Sequence, residues 1–267
     1  MTQQTITRIK TLYERQGWCR LDHRLSDGEI QKLRDSVERH ISERRPGLVY
    51  EEGSQAVRGI HGCHRFDPVC SDLTRLPPLV DVAEEILGTP AYVYQFKVNL
   101  KQPRDGAEWP WHQDFPFWQT EDGMPAPHAV NIAILLDDAH EHNGPVVLVP
   151  GSHRLGPLWN AAEDEDDSAA DWRVNMRASL PLTVPGEVAS RLAAERGTEL
   201  LTGPPGTIYV FHPCIVHSSS ANLSADRRAL LIISYNSVTN LPRHPNRPEF
   251  LVDRDSTPIV KLGRETL

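Results

Sequence analysis

Apolar residues recur along this chain with two different periods, and the change of period divides it. In residues 6–18 they fall at helical spacing among Arg8, Lys10, Glu14 and Arg15, which predicts a short amphipathic helix. Ser26-Asp27-Gly28-Glu29 matches a capping box, with Ile30, Leu33, Val37 and Ile41 on one face of the helix it opens and Pro46-Gly47 to stop it. Pro77-Pro78 starts a third helix over 79–87, with Gly88 at the position of a C-terminal cap. Residues 1–90 therefore read as a mostly helical prologue. From Ala91 the period becomes two. Tyr92, Tyr94, Phe96, Val98 and Leu100 share one face of 91–101, and Val93, Gln95, Lys97 and Asn99 share the other. That second face is polar, so it lines something other than an apolar core. Further strands are predicted at 129–136, 146–149, 207–211, 214–218 and 229–237, separated by Asn143-Gly144-Pro145, Pro150-Gly151-Ser152 and Gly203-Pro204-Pro205-Gly206. One more helix is predicted over 185–196. The pattern predicts a mainly β protein of jelly-roll type with flanking helices: a β core over 91–240 and a C-terminal tail over 241–267.

Composition narrows the class. The chain has 267 residues, 39% of them hydrophobic and 24% charged, an ordinary globular balance that suits one domain over 1–267. No apolar run approaches the ~20 residues of a membrane helix. The charged N-terminus shows no secretory signal, so a cytoplasmic location is expected. The four cysteines form no CxxC pair and read as free thiols rather than disulfides or a zinc site. A net charge of −8 offers no basic footprint for nucleic acid. The acidic run at 163–167, with Asp171 nearby, reads as a solvated loop, a lid being the functional alternative.

The local chemistry centres on Trp111-His112-Gln113-Asp114. In an extended segment residues i and i+2 point to the same side, so His112 and Asp114 are placed to hold one ion. An isolated HxD is commonly just a surface pair, but a second histidine, His217, follows on a late apolar segment. Two histidines and one carboxylate with open coordination positions make the facial triad of non-haem Fe(II) oxygenases. Neither an HExxH helix nor a cysteine set supports zinc. Arg228, heading the strand after His217, carries a guanidinium fork suited to a carboxylate, and Ser219 shares the face of His217.

This ordered set, His112, Asp114, the Asn143-Gly144-Pro145 turn, Pro150-Gly151-Ser152-His153, His217 and Arg228, resembles the phytanoyl-CoA dioxygenase superfamily of Fe(II)/2-oxoglutarate oxygenases over roughly 57–235. Trp118 followed by Glu121-Asp122-Gly123-Met124-Pro125 is similar to the segment after the HxD in ectoine hydroxylases. The resemblance implies a double-stranded β-helix with iron on His112, Asp114 and His217. It implies 2-oxoglutarate chelating the metal, with its C5 carboxylate on Arg228 and Ser219 and with further contacts from Lys97 and Asn99. Gln95 and Trp118 match positions that face the prime substrate, and Phe115 and Phe117 supply an apolar wall. Arg58 and His61 lie in a region that approaches the site in relatives and are candidate substrate contacts. His153 and His212 read as structural. Asp114 favours a hydroxylase, because related halogenases carry a small residue there. The expected activity is O2- and 2-oxoglutarate-dependent hydroxylation of a small molecule, an amino acid or natural-product intermediate, with release of succinate and CO2. The rivals are an acyl-CoA hydroxylase of the same superfamily and a barrel that binds a metal or small ligand without turnover.

Overall fold

The computed structural model describes residues 1–159, 172–176, 178 and 180–267; the acidic run at 163–167 and Asp171 lie outside them. The first ninety residues hold α1 (Gln3–Gln16), β1 (Trp18–Arg24), α2 (Asp27–Ser42), β2 (Leu48–Tyr50), β3 (Val57–His61), α3 (Pro68–Leu73) and α4 (Pro77–Leu87). Then come β4 (Ala91–Lys101), β5 (Trp109–His112), α5 (Asp114–Asp122), β6 (Ala129–Leu135) and β7 (Val146–Leu148). The chain continues with α6 (Gly186–Arg196), β8 (Glu199–Leu200), β9 (Thr207–Phe211), β10 (His217–Ser219) and β11 (Arg228–Ser237).

The local signals account for most of the helices. Ser26 and Glu29 form the reciprocal capping box of α2, α4 opens on Pro77-Pro78, and Gly88 ends it in the left-handed region at φ 65°. The first helix stops earlier than its periodicity suggests. Gly17 takes φ 82° as its cap, which releases Trp18 into a strand. The mostly helical reading of residues 1–90 is corrected by β1, β2 and β3, all of which join the large sheet. Each is too short or too polar to announce itself by alternation; β1 and β3 are defined by pairing with the distant β9 and β4, and β2 by its pairing with β3 at the sheet edge.

Two antiparallel sheets face one another in a jelly roll. The larger runs β1-β9-β6-β11-β4-β3-β2 and the smaller β5-β10-β7-β8. On the outer face of the large sheet Val98, Ile132, Val210 and Leu231 pack with Leu33, Leu79 and Val82 of the helices. On the inner face Ala133, Tyr209, Leu230 and Ile232 meet Leu148 of the small sheet. Alternation along each strand thus feeds two cores at once.

Strand β4 departs from simple alternation. Its pairing with β11 runs from Ser234 opposite Gln95 to Tyr235 opposite Val93, leaving Tyr94 as the extra residue of a bulge. Gln95, Lys97 and Asn99 keep the shared face predicted for them. Val93 does not share it and moves to the helix-side core, whereas Tyr92 and Tyr94 join the cluster around Trp118. The bulge therefore brings Tyr94 and Gln95, neighbours in sequence, to the same side.

The C-terminal residues are not a free tail. Leu251 and Val252 are buried, the Asp253 N–H donates to the Tyr94 carbonyl at 2.9 Å, and the Ile259 N–H donates to that of Ala91 at 2.9 Å. Arg247 forks onto the fully buried Asp122 of α5, its Nε and Nη2 donating at 2.9 and 2.5 Å, and the Tyr94 hydroxyl donates to the same carboxylate. Removing one member of a buried ion pair strands the other without water. Asp122→Ala is expected to lower the unfolding free energy by about 3–5 kcal/mol in urea titrations; a loss below about 1 kcal/mol would show that this pair does not anchor the C-terminal strap formed by residues 247–259.

Candidate active site

His112, Asp114 and His217 stand together in the jelly roll, their ligand atoms all within 4.8 Å of one another and all three side chains buried. Two pairings produce this. His112 ends β5 directly opposite His217 on β10, which sets their rings 4.1 Å apart. The chain stays extended through Gln113 and turns helical at Asp114, so the extended reading of the HxD segment holds only to its third residue. Each imidazole is aimed by a carbonyl two residues back: His112 Nδ1 lies 2.6 Å from the Pro110 oxygen and His217 Nδ1 3.0 Å from that of Ile215. A carbonyl only accepts, so Nδ1 carries the proton in both rings and each Nε2 lone pair is left for a ligand. Burial, together with the neighbouring His217, pushes the His112 pKa down to about 3, and burial lowers that of His217. Both rings are therefore neutral, the state that binds metal.

Asp114 completes the set as an anion. Burial alone would raise its pKa, but Lys97 and the two imidazoles outweigh that and hold it at about 2. Lys97 donates to Oδ1 at 3.2 Å and Asn131 to Oδ2 at 2.7 Å, while Asn131 Oδ1 accepts from Ser234 at 2.6 Å. Two neutral imidazole nitrogens and one ionised carboxylate fit a divalent iron and leave positions open for further ligands.

The triad opens on a pocket lined by aromatic and aliphatic side chains with a few polar and charged groups among them, the make-up of a small-molecule site. Lys97, Asn99, Ser219 and Arg228 all line it. Arg228 is 1% exposed, with Nε and Nη2 on the Gly144 carbonyl at 3.1 and 2.8 Å and Nη1 on that of Asn99 at 3.3 Å. Three of the five N–H bonds of a guanidinium are so engaged. No carboxylate pairs with it among the described residues. Burial and the nearby Arg58 bring its pKa down to about 10, leaving it a cation.

Gln95, Trp118, Phe117 and His61 also line the pocket. Trp118 is at the same time a core residue, 2% exposed and edge-on to Tyr94 at 5.1 Å. Two predicted substrate contacts lie elsewhere. Phe115 packs in the aromatic cluster behind the wall, because α5 begins at Asp114 and turns its successive side chains about 100° apart. Arg58 is buried against Glu51 at 3.0 Å, donates to the carbonyls of Ala107, Glu108 and Met176, and lies 4.0 Å over the Trp109 ring. It braces the pocket from behind. His153 and His212 meet at a tilt, ring centroids 5.1 Å apart, and neither lines the pocket.

Several pocket residues were not anticipated. Trp109 faces inward alongside His112 because a bulge sets two residues of β5, Pro110 and Trp111, against Ser218 of β10. Behind the lining, Asn131 left a usable signal as the one polar residue of β6, whereas Ser234 shares its alternation on β11 with Arg228 and Asn236 and stood out less. Arg247 left none, being one arginine among many in a proline-rich stretch; it lines the pocket through the strap, and its Nη1 has no partner among the described residues.

Residues 13–230 match the family described as phytanoyl-CoA dioxygenase (PhyH). The chain is 55% identical over 258 residues to an L-proline trans-4-hydroxylase of Streptomyces griseoviridis, covering 97% of this chain and 96% of that protein. Among solved structures, EctD from S. alaskensis with 2-oxoglutarate and 5-hydroxyectoine superposes with a TM-score of 0.83 at 28% identity, over 100% of this chain and 90% of that one. The same protein with bound Fe gives a TM-score of 0.82 at 28% identity, with the same coverage. The chain belongs to the phytanoyl-CoA dioxygenase family and is an Fe(II)- and 2-oxoglutarate-dependent oxygenase that acts on a small molecule.

Proposed function

We propose that this enzyme hydroxylates L-proline at C4, trans to the carboxylate, with Fe(II), O2 and 2-oxoglutarate. The observation that carries the reading is one pocket with three features: the triad, a buried Arg228 with N–H bonds to spare near Asn99, and Arg247, whose Nη1 has no partner among the described residues, held beside Tyr94. Asn99 and Tyr94 lie toward opposite ends of β4, which suits two carboxylate-bearing ligands side by side. The identity to the proline hydroxylase, spread over nearly the whole chain, favours an amino acid over an acyl-CoA.

Iron would be held by His112, Asp114 and His217, where it supplies O2 activation coupled to decarboxylation of 2-oxoglutarate to succinate and CO2. The chain's own residues do the rest. Pro110 and Ile215 fix the proton on Nδ1 of each imidazole, and Asn131 and Lys97 hold the Asp114 carboxylate in place. Arg228 anchors the distal carboxylate of 2-oxoglutarate, with Ser219 and Asn99 beside it. Arg247 receives the carboxylate of the amino acid, and Phe117, Trp118 and Leu180 pack on its ring and exclude water. The pocket draws residues from β3 through to the strap, which supports reading 1–267 as one catalytic domain. All four cysteines are free and buried, which supports a cytoplasmic location; no described helix is long and apolar enough to cross a membrane.

Incubation with Fe(II), 2-oxoglutarate and L-proline is expected to yield trans-4-hydroxyproline and succinate in equal amounts by mass spectrometry; oxidation of another amino acid with none of proline would overturn the substrate. His112→Ala is expected to lose stoichiometric Fe(II) binding and all proline-dependent succinate, and full turnover in that variant would refute the triad. Arg228→Leu removes a charge-assisted contact worth about 1.5–3 kcal/mol, so the KM for 2-oxoglutarate should rise roughly 10- to 100-fold with Fe(II) binding intact. An unchanged KM would move the anchor to another residue.

A further inference from the structure

His61 ends β3 and is held there on three sides. Its backbone N–H donates to the Gly47 carbonyl at 3.0 Å, its register partner on β4 is Lys97, and its ring meets Trp172 edge-on at 6.2 Å. It is 4% exposed and lines the pocket. Yet neither ring nitrogen has a hydrogen-bond partner among the described residues. The contrast with other buried histidines is plain: His40, His112 and His217 each engage a carbonyl. A buried imidazole without partners loses its hydrogen bonds to water and gains none in return. Such a group facing a pocket is completed by what the pocket binds.

The charges around the pocket say what that is. Among the described residues the lining has three cations, Lys97, Arg228 and Arg247, and a single carboxylate, Asp114, whose oxygens are committed to Lys97, Asn131 and the metal position. An amino acid brings its own ammonium, and among the described lining residues no carboxylate is free to meet it. Neutral acceptors have to do so. Burial, with Lys97 and Arg247 close by, pushes the His61 pKa down to about 3, so the ring is uncharged and offers one acceptor nitrogen. Gln95 offers another: its amide also lines the pocket without a partner among the described residues. Because His61 pairs with Lys97, Gln95 is its diagonal neighbour across the β3–β4 ladder, within reach of long side chains. A Cβ on Gly59 would lie 3.7 Å from His61 Nε2, so that nitrogen sits beside the β3 backbone while the ring lines the pocket.

We propose that His61 and Gln95 together accept the two N–H bonds of the substrate's secondary ammonium, so that His61 is a specificity-determining residue for cyclic imino acids. The proposal rests on the reading of the site as an amino-acid hydroxylase. A secondary ammonium has two N–H bonds, and the two acceptors match it. A primary ammonium has three, and one would be left unpaired in a buried site. The carboxylate of the same molecule is then within reach of Arg247, whose charge acts on His61.

The test compares wild type, His61→Phe and His61→Asn on L-proline and on (S)-tetrahydrofuran-2-carboxylate, in which a ring oxygen replaces the N–H group. Phenylalanine keeps a ring against Trp172 and removes both nitrogens; asparagine keeps an acceptor. His61→Phe is expected to raise the KM for L-proline at least tenfold, to leave the KM for 2-oxoglutarate within twofold, and to leave inhibition by the oxygen analogue as in wild type. His61→Asn should recover part of the loss. An unchanged KM for proline in His61→Phe, or an equal loss for proline and the oxygen analogue, overturns the proposal and makes His61 a packing residue. If wild type does not oxidise L-proline at all, the substrate reading fails first and this one with it; normal wild-type turnover with an insensitive His61→Phe removes this one alone.

Discussion

The buried Asp114 carboxylate is the constraint on which the site depends. An anion taken out of water costs several kcal/mol unless its lone pairs are met, and Asp114 is 6% exposed. Its partners come from two strands, Lys97 on β4 and Asn131 on β6, and Asn131 is itself held by Ser234 on β11. A slip of one residue in any of these strands would turn a partner to the other face and leave the charge unmet. Strand register and the placement of the metal-binding set are thus one requirement. The same network holds Asp114 ionised before any metal arrives, so little reorganisation is needed on binding.

At the other end of the pocket the chain accumulates positive charge. Arg228, Arg58 and Lys101 are all nearly inaccessible, and only Glu51 forms an ion pair with any of them among the described residues. Lys101 donates to the carbonyls of Ala107, Ser219 and Ser220, and burial with Arg228 and Arg58 nearby pushes its pKa down to about 6. With Arg58 paired to Glu51 and Lys101 pushed toward its neutral form, Arg228 is the cation of this group that faces the pocket, and it favours an anionic ligand. The Asn143-Gly144-Pro145 turn has its physical role here. Gly144 sits at φ 72°, where a Cβ would lie 2.5 Å from the Ser220 oxygen, and its carbonyl takes two donors of the Arg228 guanidinium. The turn sets the angle of the fork.

The substrate end is assembled from pieces distant in sequence. The bulge at Tyr94 lets that residue bond Asp122 while its neighbour Gln95 still faces the pocket. Asp122 in turn holds Arg247, and Arg65 with His64 grips Asp253 farther along the strap. Gly62, at φ 74°, gives Phe250 room to pass, since a Cβ there would lie 2.7 Å from it. The shape of the substrate pocket is therefore tied to the docking of residues 247–253.

Much of this was legible in the residues. Helix boundaries rested on Ser26, Pro77 and Gly88 because capping and proline geometry act over one turn of chain, and the polar face of β4 was visible because alternation is a property of the strand itself. The triad and Arg228 could be named because metal and carboxylate chemistry restricts residue type and order. Other features are decided only by contacts between distant segments. β1 to β3 are strands because neighbours accept them, and Arg58 is a brace rather than a substrate contact because Glu51 and three carbonyls surround it. Phe115 was lost to the wall by one helical turn beginning at Asp114, and Arg247 was gained through an ion pair with Asp122, far from it in sequence. The sequence by itself determined which chemistry the chain carries; the tertiary structure decided which side chains share its pocket, because burial, charge pairing and strand register exist only once distant segments meet.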